Sequence, residues 1–535
     1  MHRNNATLNY AGYLGSVGNY LSRGKYVFLS TIIAGLIIHF PAYSERLTDI
    51  DGVHVYFSNY YDTKYNLLLG RWMQYLFAKL TNNYVLPALS VCYSLVILGC
   101  SAVIIWALFG GTKRKISAVL IGSVLAAYPS VGDSLATYFY SAYHTNSVFL
   151  SICAVAAAAK IKNRYLAVAL GSVLLAVSCG FYQANIGVAV ALSLIYLMFM
   201  TIREDANLKD VFAIASKCLA MGICGITTYL LITKIVCSVA NITLSSYAGI
   251  DHMGVIPLAE IPGLINRAFR ASLGFYFGDG YYNNDEWNRA IIYVVIAICG
   301  LVAGFLEIRR QGLARVRWRM VFLVCCFLLL PIALNIMIVF VPEKIPSTNM
   351  TMSLVLPLIA VIMLFDKLSM TLRLEQILQS IAFAAVIALV FSFTIYLNTA
   401  YALMQMNYDR TYATAVRVID RVETTQGYTP NMKMMVVGTG DDGNYPRLYR
   451  DVYLSVDGTN AEAGQIDYEL LGAMAWGWRC FFENNLGLTY VQLSEAECQE
   501  IIGTDEYKSM AVFPDEGCTK LINDVMVVKL TGRFG

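Results

Sequence analysis

The chain has 535 residues, of which 57% are hydrophobic and only 14% are charged, and its formal net charge is +3. Soluble globular proteins carry about 25% charged residues, so this composition excludes an ordinary soluble enzyme. The small net charge says little about partners, and no nucleic-acid partner is predicted. Apolar stretches of about 20 residues, each long enough to cross a bilayer core, recur along the chain. The sequence therefore predicts an all-α polytopic membrane protein.

Hydropathy windows of about 19 residues predict eleven membrane spans. The first lies too deep in the chain to be a removed signal peptide. The two spans on either side of Cys179 are separated by a very short turn. In chain order the spans lie near residues 25–43, 84–110, 116–131, 141–159, 165–180, 184–202, 211–238, 290–307, 320–341, 351–366 and 378–398.

Lysine and arginine are concentrated in alternate connections between these spans. The positive-inside rule therefore predicts a cytoplasmic N-terminus and, with an odd number of spans, an external C-terminal tail. The long loops at 44–83 and 239–289 then also lie outside, where nucleotide donors are absent. The basic connections contain Arg3, Arg23 and Lys25; Lys113, Arg114 and Lys115; Lys160, Lys162 and Arg164; Arg203 and Lys209; Arg309, Arg310, Arg315, Arg317 and Arg319; and Lys367 and Arg373.

The pattern predicts two parts: a transmembrane domain at 1–398 and a small external α/β domain at 399–535. Ser494 and Glu497 form a capping-box pattern that opens a helix. Cys498 and Cys518 could pair in an oxidising compartment and leave Cys480 unpaired, but the sequence leaves this open. The other predicted elements of the tail are a helix near 402–423, a strand at Met434–Val437, and strand-like runs at 510–513 and 524–530.

The stretch Tyr65–Leu80 has apolar residues at helical spacing, with Lys64, Arg71 and Gln74 opposite them. This pattern predicts one amphipathic helix lying in the membrane interface. Arg71 would then lie at the depth of a lipid phosphate and could bind it. The alternative is that Arg71 is an ordinary interfacial anchor.

Two acids, Asp49 and Asp51, follow the first predicted span. In an extended segment their side chains point to the same side. A carboxylate close to an apolar surface has a raised affinity for protons and can act as a general base. The alternatives are ordinary loop acids, or Asp49 as a helix cap.

The sequence GFYFGDGYYNNDEWNR, Gly274–Arg289, combines aromatic rings with acids. Rings stack on the C–H face of a sugar while acids accept hydrogen bonds from its hydroxyls, so Asp279, Glu286 and Trp287 are predicted to contact sugar. The alternative is a membrane interface, where Tyr and Trp are enriched anyway. Arg289, at the end of this stretch, is a second candidate for phosphate binding.

Further candidates lie at three predicted external turns. Tyr182 and Gln183 are candidate sugar contacts, although an amide at that depth more commonly bonds backbone or a neighbouring helix. His144 could bind phosphate or carry a proton, although a single histidine of this kind is more often structural. Lys344, in a short external loop, is a further candidate phosphate ligand.

No cofactor and no metal site are predicted, since no cysteine pair has the spacing of zinc ligands. The alternative is that Asp49 and Asp51 together hold Mg²⁺ or Mn²⁺, which prefer oxygen ligands.

The acidic pair beyond the first span, GRW at Gly70–Trp72 and YQA at Tyr182–Ala184 resemble the bacterial phage-type glucosyltransferase II family, serotype-converting membrane enzymes that decorate O-antigen. The external tail also agrees, although the resemblance covers the membrane part best. One departure concerns the acids, which here read Asp-Ile-Asp rather than an adjacent pair. Either Asp49 or Asp51 can therefore be the base, with Asp51 preferred.

The resemblance implies a GT-C-type fold with its site at the outer face of the bacterial inner membrane. The implied donor is undecaprenyl phosphate-linked glucose, and the implied acceptor is a hydroxyl of lipid-linked O-antigen, the precursor of lipopolysaccharide, or a similar surface glycan. Attack opposite the phosphate would invert the anomeric centre. The alternatives are a flippase or transporter of lipid-linked sugars and an O-antigen polymerase.

Overall fold

A computed structural model describes residues 10–45, 47, 63–80, 86–136, 138–253, 259–277, 287–313, 316–341, 348–368, 372–438 and 476–530. These residues form a bundle of helices and one small sheet. In chain order the helices are α1 Tyr10–Ile38, α2 Phe40–Ser44, α3 Thr63–Leu68, α4 Trp72–Leu80, α5 Pro87–Leu108, α6 Lys115–Ala127, α7 Pro129–Ala136, α8 Tyr138–Lys160, α9 Arg164–Phe181, α10 Ile186–Ile202, α11 Leu208–Ala240, α12 Ile261–Phe277, α13 Trp287–Arg310, α14 Arg317–Leu334, α15 Met337–Phe340, α16 Leu356–Lys367, α17 Arg373–Thr424, α18 Trp476–Phe481, α19 Glu495–Gly503 and α20 Asp505–Lys508.

Among the described residues, eight helices are long and apolar enough to cross a membrane, and the bent pair α6 and α7 makes a ninth. Every predicted span overlaps a helix, so the prediction of a helical membrane protein is confirmed. The remaining two predicted spans fall on the shorter apolar stretch Gly24–Ile38 of α1 and on the 12-residue α16. The number of eleven crossings therefore stays a prediction.

The span predicted at 116–131 is interrupted by Pro129. A proline cannot donate a backbone hydrogen bond, and it disfavours the helical conformation of the residue before it. Tyr128 is accordingly extended, with φ −66° and ψ 132°, and α6 ends at Ala127. The chain then bends by 44° into α7, whose eight residues are all buried.

The basic connections meet at one end of the bundle, which we call the basic end (109–115, 160–164, 203–209 and 366–368). The carboxylate of Asp366 accepts hydrogen bonds from the backbone N–H of Lys113 and of Arg114, at 2.5 and 3.0 Å. Arg319 donates to the carbonyl of Arg203 at 3.1 Å. Connections that the charge pattern assigns to one side of the membrane thus contact one another.

The other connections meet at the opposite end, which we call the site end (69–72, 181–185 and 348–355). The Gln183 side chain donates to the carbonyl of Leu69 at 2.7 Å. The Tyr182 hydroxyl donates to the side-chain oxygen of Asn349 at 3.2 Å. Which end faces the cytoplasm stays a prediction, and it follows from the charges.

The predicted span at 378–398 and the predicted helix at 402–423 form one helix, α17, of 52 residues. The predicted boundary at 398/399 therefore falls inside a helix, and the division into two domains stays a prediction. Near its end α17 buries Ala415, Val418 and Val422 against the sheet region.

The sheet has four strands in the order β2, β1, β4, β3. β1 runs parallel to β2 and β4, while β3 and β4 form an antiparallel hairpin. Alternate residues face opposite sides, so Met434 and Met526 pack with α17 whereas Met435 and Val527 pack with α19. The strands are β1 Lys433–Val437, β2 Val491–Gln492, β3 Thr519–Ile522 and β4 Val525–Lys529.

The strand predicted at 510–513 is wrong, because these residues form a loop and turn leading to β3. The predicted capping box is confirmed, since the Ser494 side chain accepts from the Glu497 N–H and the Glu497 side chain accepts from the Ser494 N–H. Cys480 and Cys518 are free thiols. Cys498 and Cys518 lie in different clusters of buried side chains, and no disulfide joins them in the structure.

Candidate functional site

A turn at 182–185 forms the centre of the site end, and buried serines hold it. The Ser147 hydroxyl donates to the carbonyl of Tyr182 at 3.0 Å, and the Ser151 hydroxyl donates to the carbonyl of Asn185 at 3.0 Å. The Tyr182 carbonyl lies at the C-terminal end of α9, where carbonyls lack partners within the helix, and Asn185 is the N-cap of α10. The serines of α8 therefore stabilise the short connection between α9 and α10 that the sequence predicts.

The predicted single helix over Tyr65–Leu80 is wrong, because the chain forms α3 and α4 with a break at Gly70. Gly70 has φ +70°, a left-handed conformation that favours glycine. The backbone N–H of Arg71 donates to the carbonyl of Asn66 at 2.8 Å and closes the turn. Gln74, predicted on the polar face, is instead fully buried and donates to the carbonyl of Phe181 at 2.6 Å.

Hydrogen bonds connect this Gly70 turn to the 182–185 turn. Tyr229 of α11 donates its hydroxyl hydrogen to the carbonyl of Gly70 at 3.2 Å. The Gln183 side chain donates both to that hydroxyl, at 2.9 Å, and to the carbonyl of Leu69, at 2.7 Å. The amide nitrogen of Gln183 thus bonds backbone and a neighbouring helix, as the alternative reading expects. Its predicted contact with sugar stays a prediction.

These two turns place Arg71 beside Tyr182. The guanidinium carbon of Arg71 lies 5.2 Å from the centre of the Tyr182 ring. A guanidinium can lie over an aromatic ring and still use its N–H groups to bind a carboxylate or a phosphate. The Tyr182 hydroxyl is in turn oriented by Asn349.

Tyr182 also contacts His144. The two rings meet edge to face, with 5.7 Å between their centres. His144 is 1% exposed, and its Nε2 has no hydrogen-bond partner among the described residues. The Nδ2 of Asn185 lies 3.5 Å from the Nδ1 of His144. The Oδ1 of Asn185 has no hydrogen-bond partner among the residues that the structure describes. A buried polar atom without a partner costs about 1–3 kcal/mol. These atoms are therefore candidates to bind a ligand.

Arg289 occupies a second position at the site end, inside a group of aromatic rings. Its guanidinium lies 5.1 Å from the centre of the Tyr396 ring and donates to the Ser392 hydroxyl at 3.1 Å. One helical turn further on, the buried Tyr293 hydroxyl has no partner among the described residues. The structure gives no direct contact between Arg289 and Arg71.

The two arginines are connected through the segment 348–355. Ser130 donates to the carbonyl of Asn349 at 3.2 Å, and the Tyr128 hydroxyl donates to the carbonyl of Thr351 at 3.1 Å. The Tyr128 ring contacts Phe393, which lies beneath Arg289. Arg71, His144, Tyr182, Asn185 and Asn349 therefore form the candidate site, and Arg289 borders it.

The sequence analysis missed Asp133, which is 3% exposed on the short helix α7. It interacts electrostatically with Tyr401, whose hydroxyl contacts the Nδ1 of His39 at 2.7 Å. Among the buried acids that the structure describes, Asp133 is the one at the site end, since Asp366 and Glu375 lie at the basic end. An acid within an apolar stretch, four residues after a helix-breaking proline, is the signal that could have identified it.

Several predicted site residues lie outside the described residues. Among the side chains that the structure describes, no three of His, Cys, Asp or Glu are close enough together to hold a metal ion. The pair considered as metal ligands, Asp49 and Asp51, lies outside that part of the chain. The other undescribed candidates are Asp279, Glu286, Lys344 and the side chain of Trp287.

Residues 45–358, well over half of the chain, match a protein family described as glucosyl transferase GtrII. The matched region includes the Gly70 turn, α8–α10 and the segment 348–355. The search of curated proteins and the search of solved structures each returned no match.

Proposed function

The chain belongs to the glucosyl transferase GtrII family, and from that premise we propose that it transfers glucose from undecaprenyl phosphate-glucose to a hydroxyl of O-antigen or a related surface glycan. Membership and fold together make the protein a glucosyltransferase built on membrane helices. The donor, the acceptor and the external face of the reaction belong to the proposal.

The observation that carries the proposal is the position of Arg71 over Tyr182 at the site end. A donor whose leaving group is a phosphate needs a cation at the bilayer rim. Arg71 supplies this charge at the site end, where its guanidinium carbon lies 5.2 Å from the centre of the Tyr182 ring. His144, Arg289 and Lys344 are the proposed helpers.

In the proposed reaction the acceptor hydroxyl attacks the anomeric carbon of the donor. A new bond forms from that carbon to the acceptor oxygen, and the bond to the phosphate oxygen breaks. The hydroxyl proton passes to Asp51 or Asp49, and polyprenyl phosphate leaves with its negative charge against Arg71. Attack opposite the phosphate inverts the anomeric centre. Asp279, Glu286, Trp287, Tyr182 and Gln183 are the proposed sugar contacts.

The charge pattern supports an external site. The basic connections lie at the end opposite Arg71, and cations favour the cytoplasmic side. The proposal therefore places the protein in the bacterial inner membrane, with a cytoplasmic N-terminus and a periplasmic C-terminal domain. At that face a lipid-linked donor replaces a nucleotide sugar, and the reaction needs no cofactor.

The test is transfer of radiolabelled glucose by the purified protein in lipid nanodiscs, with lipid-linked O-antigen as the acceptor. We expect label on the acceptor and release of unlabelled polyprenyl phosphate. Label that only crosses a vesicle bilayer would identify a flippase, and longer glycan chains without added glucose would identify a polymerase. Either result would overturn the proposal. Transfer from a nucleotide sugar instead would overturn the donor assignment.

A further inference from the structure

A cavity of about 1100 Å³ lies at the other end of the bundle, between α9 and α11, and the end of α10 closes it. Small side chains line both walls, among them Ala169 and Ser172 on α9 and Ala213 and Ala220 on α11. Because these residues are short, the two helices leave a groove between them. The groove lies outside the candidate site.

The groove runs along the helices from the basic end towards the middle of the bundle. Its lining on α11 extends from Asp210 to Thr228. At 1.5 Å per residue this is a length of about 25 Å. The hydrocarbon part of one bilayer leaflet is about 15 Å deep, half of a core of about 30 Å. An acyl chain of one leaflet therefore fits within the groove.

The rim of the groove is cationic. Two acids, Asp205 and Asp210, also line the groove, so four cations face two acids and leave a net charge of +2. Asp205 is paired with Arg203 at 2.7 Å. Arg164 stacks on Tyr165, at 4.6 Å from the ring centre. The cations are Lys162, Arg164, Arg203 and Lys217.

Apolar walls below a basic rim match the two halves of an anionic phospholipid. Basic pockets between membrane helices are known to hold such headgroups. The donor phosphate proposed at Arg71 cannot use this rim, because the rim belongs to the basic end and Arg71 to the site end. The groove and the proposed donor site are thus separate.

We propose that the groove between α9 and α11 binds an anionic phospholipid of the leaflet next to the basic end. The headgroup phosphate contacts Lys162, Arg164 and Lys217, and one acyl chain lies along α9 and α11. This inference does not depend on the proposed glucosyl donor.

The experiment measures lipid binding to the full chain in detergent by native mass spectrometry, with phosphatidylglycerol and phosphatidylcholine of the same acyl chains. We expect phosphatidylglycerol to bind more tightly. The triple variant Lys162→Gln, Arg164→Gln, Lys217→Gln should lose at least about tenfold in affinity for it. A control with the same charge loss at the same end, Lys209→Gln, Arg309→Gln, Arg317→Gln, should retain it.

A second variant tests the walls without changing charge. Ala169→Phe with Ala213→Phe fills the groove, and both positions are exposed, so the helix core is not disturbed. Phosphatidylglycerol binding should fall, whereas Gly222→Phe should leave it unchanged, because a Cβ at Gly222 faces open space, with nothing within 4 Å.

The inference would be overturned by equal affinity for the two lipids, by an equal loss of affinity in the charge control, or by binding that survives both the rim and the wall variants. A dimer that occupies the groove in place of the lipid would overturn it as well. Displacement of phosphatidylglycerol by polyprenyl phosphate at equal concentration would also do so. Glucose transfer in a fixed detergent should be the same for the rim variant and for the native chain. Failure of the donor proposal would therefore appear in the glucose-transfer assay, whereas failure of this inference would appear in the lipid-binding measurement.

Discussion

The two ends of the bundle use similar residues in different ways. At the basic end, buried or half-buried charged groups form bonds within the fold. Asp366 accepts hydrogen bonds from two backbone N–H groups, and Arg310 forms an ion pair with Glu375 at 2.6 Å. At the site end, Arg71 is stacked on a ring, and buried atoms of His144 and Asn185 have no partner among the described residues.

The contrast separates polar groups that hold the fold from polar groups that can bind a ligand. The basic end also has single atoms without partners among the described residues, such as the Nε of Arg319, but that guanidinium donates to the carbonyls of Arg203, Glu204 and Ala206. Among the described residues, the hydrogen bonds of the His144 and Asn185 side chains are long ones, at 3.4 and 3.5 Å, from the Asn185 amide to His144. Variants at the site end should therefore reduce turnover, whereas variants at the basic end should reduce stability.

The largest effect is expected for the proposed base. Asp51→Asn or Asp49→Asn should lower the rate of glucose transfer by about 10²- to 10⁴-fold, because an amide cannot take the hydroxyl proton. Radiolabel transfer under saturating donor measures this rate. Asp205→Asn, at the basic end, is the matched control and should keep full activity. Full activity in both Asp51→Asn and Asp49→Asn would show that neither acid is the general base.

The second effect concerns the cation at the site end. Arg71→Ala should lower transfer by about 10²- to 10³-fold, because the charge on the leaving phosphate loses its partner. Arg71→Lys should recover part of the rate, since it restores the charge but not the planar guanidinium. Lys79→Ala removes a cation from α4, the helix that follows Arg71, and should leave transfer nearly unchanged. A loss of under threefold in Arg71→Ala would mean that Arg71 is only an interfacial anchor.

The third effect concerns the turn that carries Arg71. A Cβ at Gly70 would lie 2.7 Å from the Tyr229 hydroxyl oxygen, and φ is +70°. Gly70→Ala should cost about 1–2 kcal/mol from the backbone alone and should lower transfer by displacing Arg71. Gly222→Ala, where a Cβ meets nothing within 4 Å, should leave both properties unchanged. Thermal unfolding and the rate of glucose transfer are measured for both variants. If Gly70→Ala has the same stability and rate as Gly222→Ala, the described turn at Gly70 is contradicted.

The smallest effect on catalysis is expected at the basic end. Asp366→Asn weakens two hydrogen bonds from backbone N–H groups and should destabilise the fold by about 1–3 kcal/mol. Turnover per folded molecule should not change. Thermal unfolding followed by tryptophan fluorescence, beside the transfer assay, separates the two properties. A fall in turnover at unchanged stability would show that the two ends are functionally coupled.

Part of the site could be predicted because single residues carried a strong local signal. Arg71 and Tyr182 were both predicted from position and residue type, and the structure brings them into contact. The helix break at Gly70 was missed because the periodic pattern continues across it, while the left-handed conformation depends on contacts with Gln183 and Tyr229 from distant helices.

The sequence by itself determined that the chain is a helical membrane protein with its cations in alternate connections, because hydropathy and charge are properties of segments. It also identified Arg71 as a candidate phosphate ligand and Tyr182 as a candidate sugar contact. Only the tertiary structure decided that Arg71 stacks on Tyr182, that Gln183 and Gln74 bond backbone, and that Asp133 is buried beside Tyr401. Each of these contacts joins residues that lie more than 100 positions apart in the chain, and their proximity follows from how the helices pack.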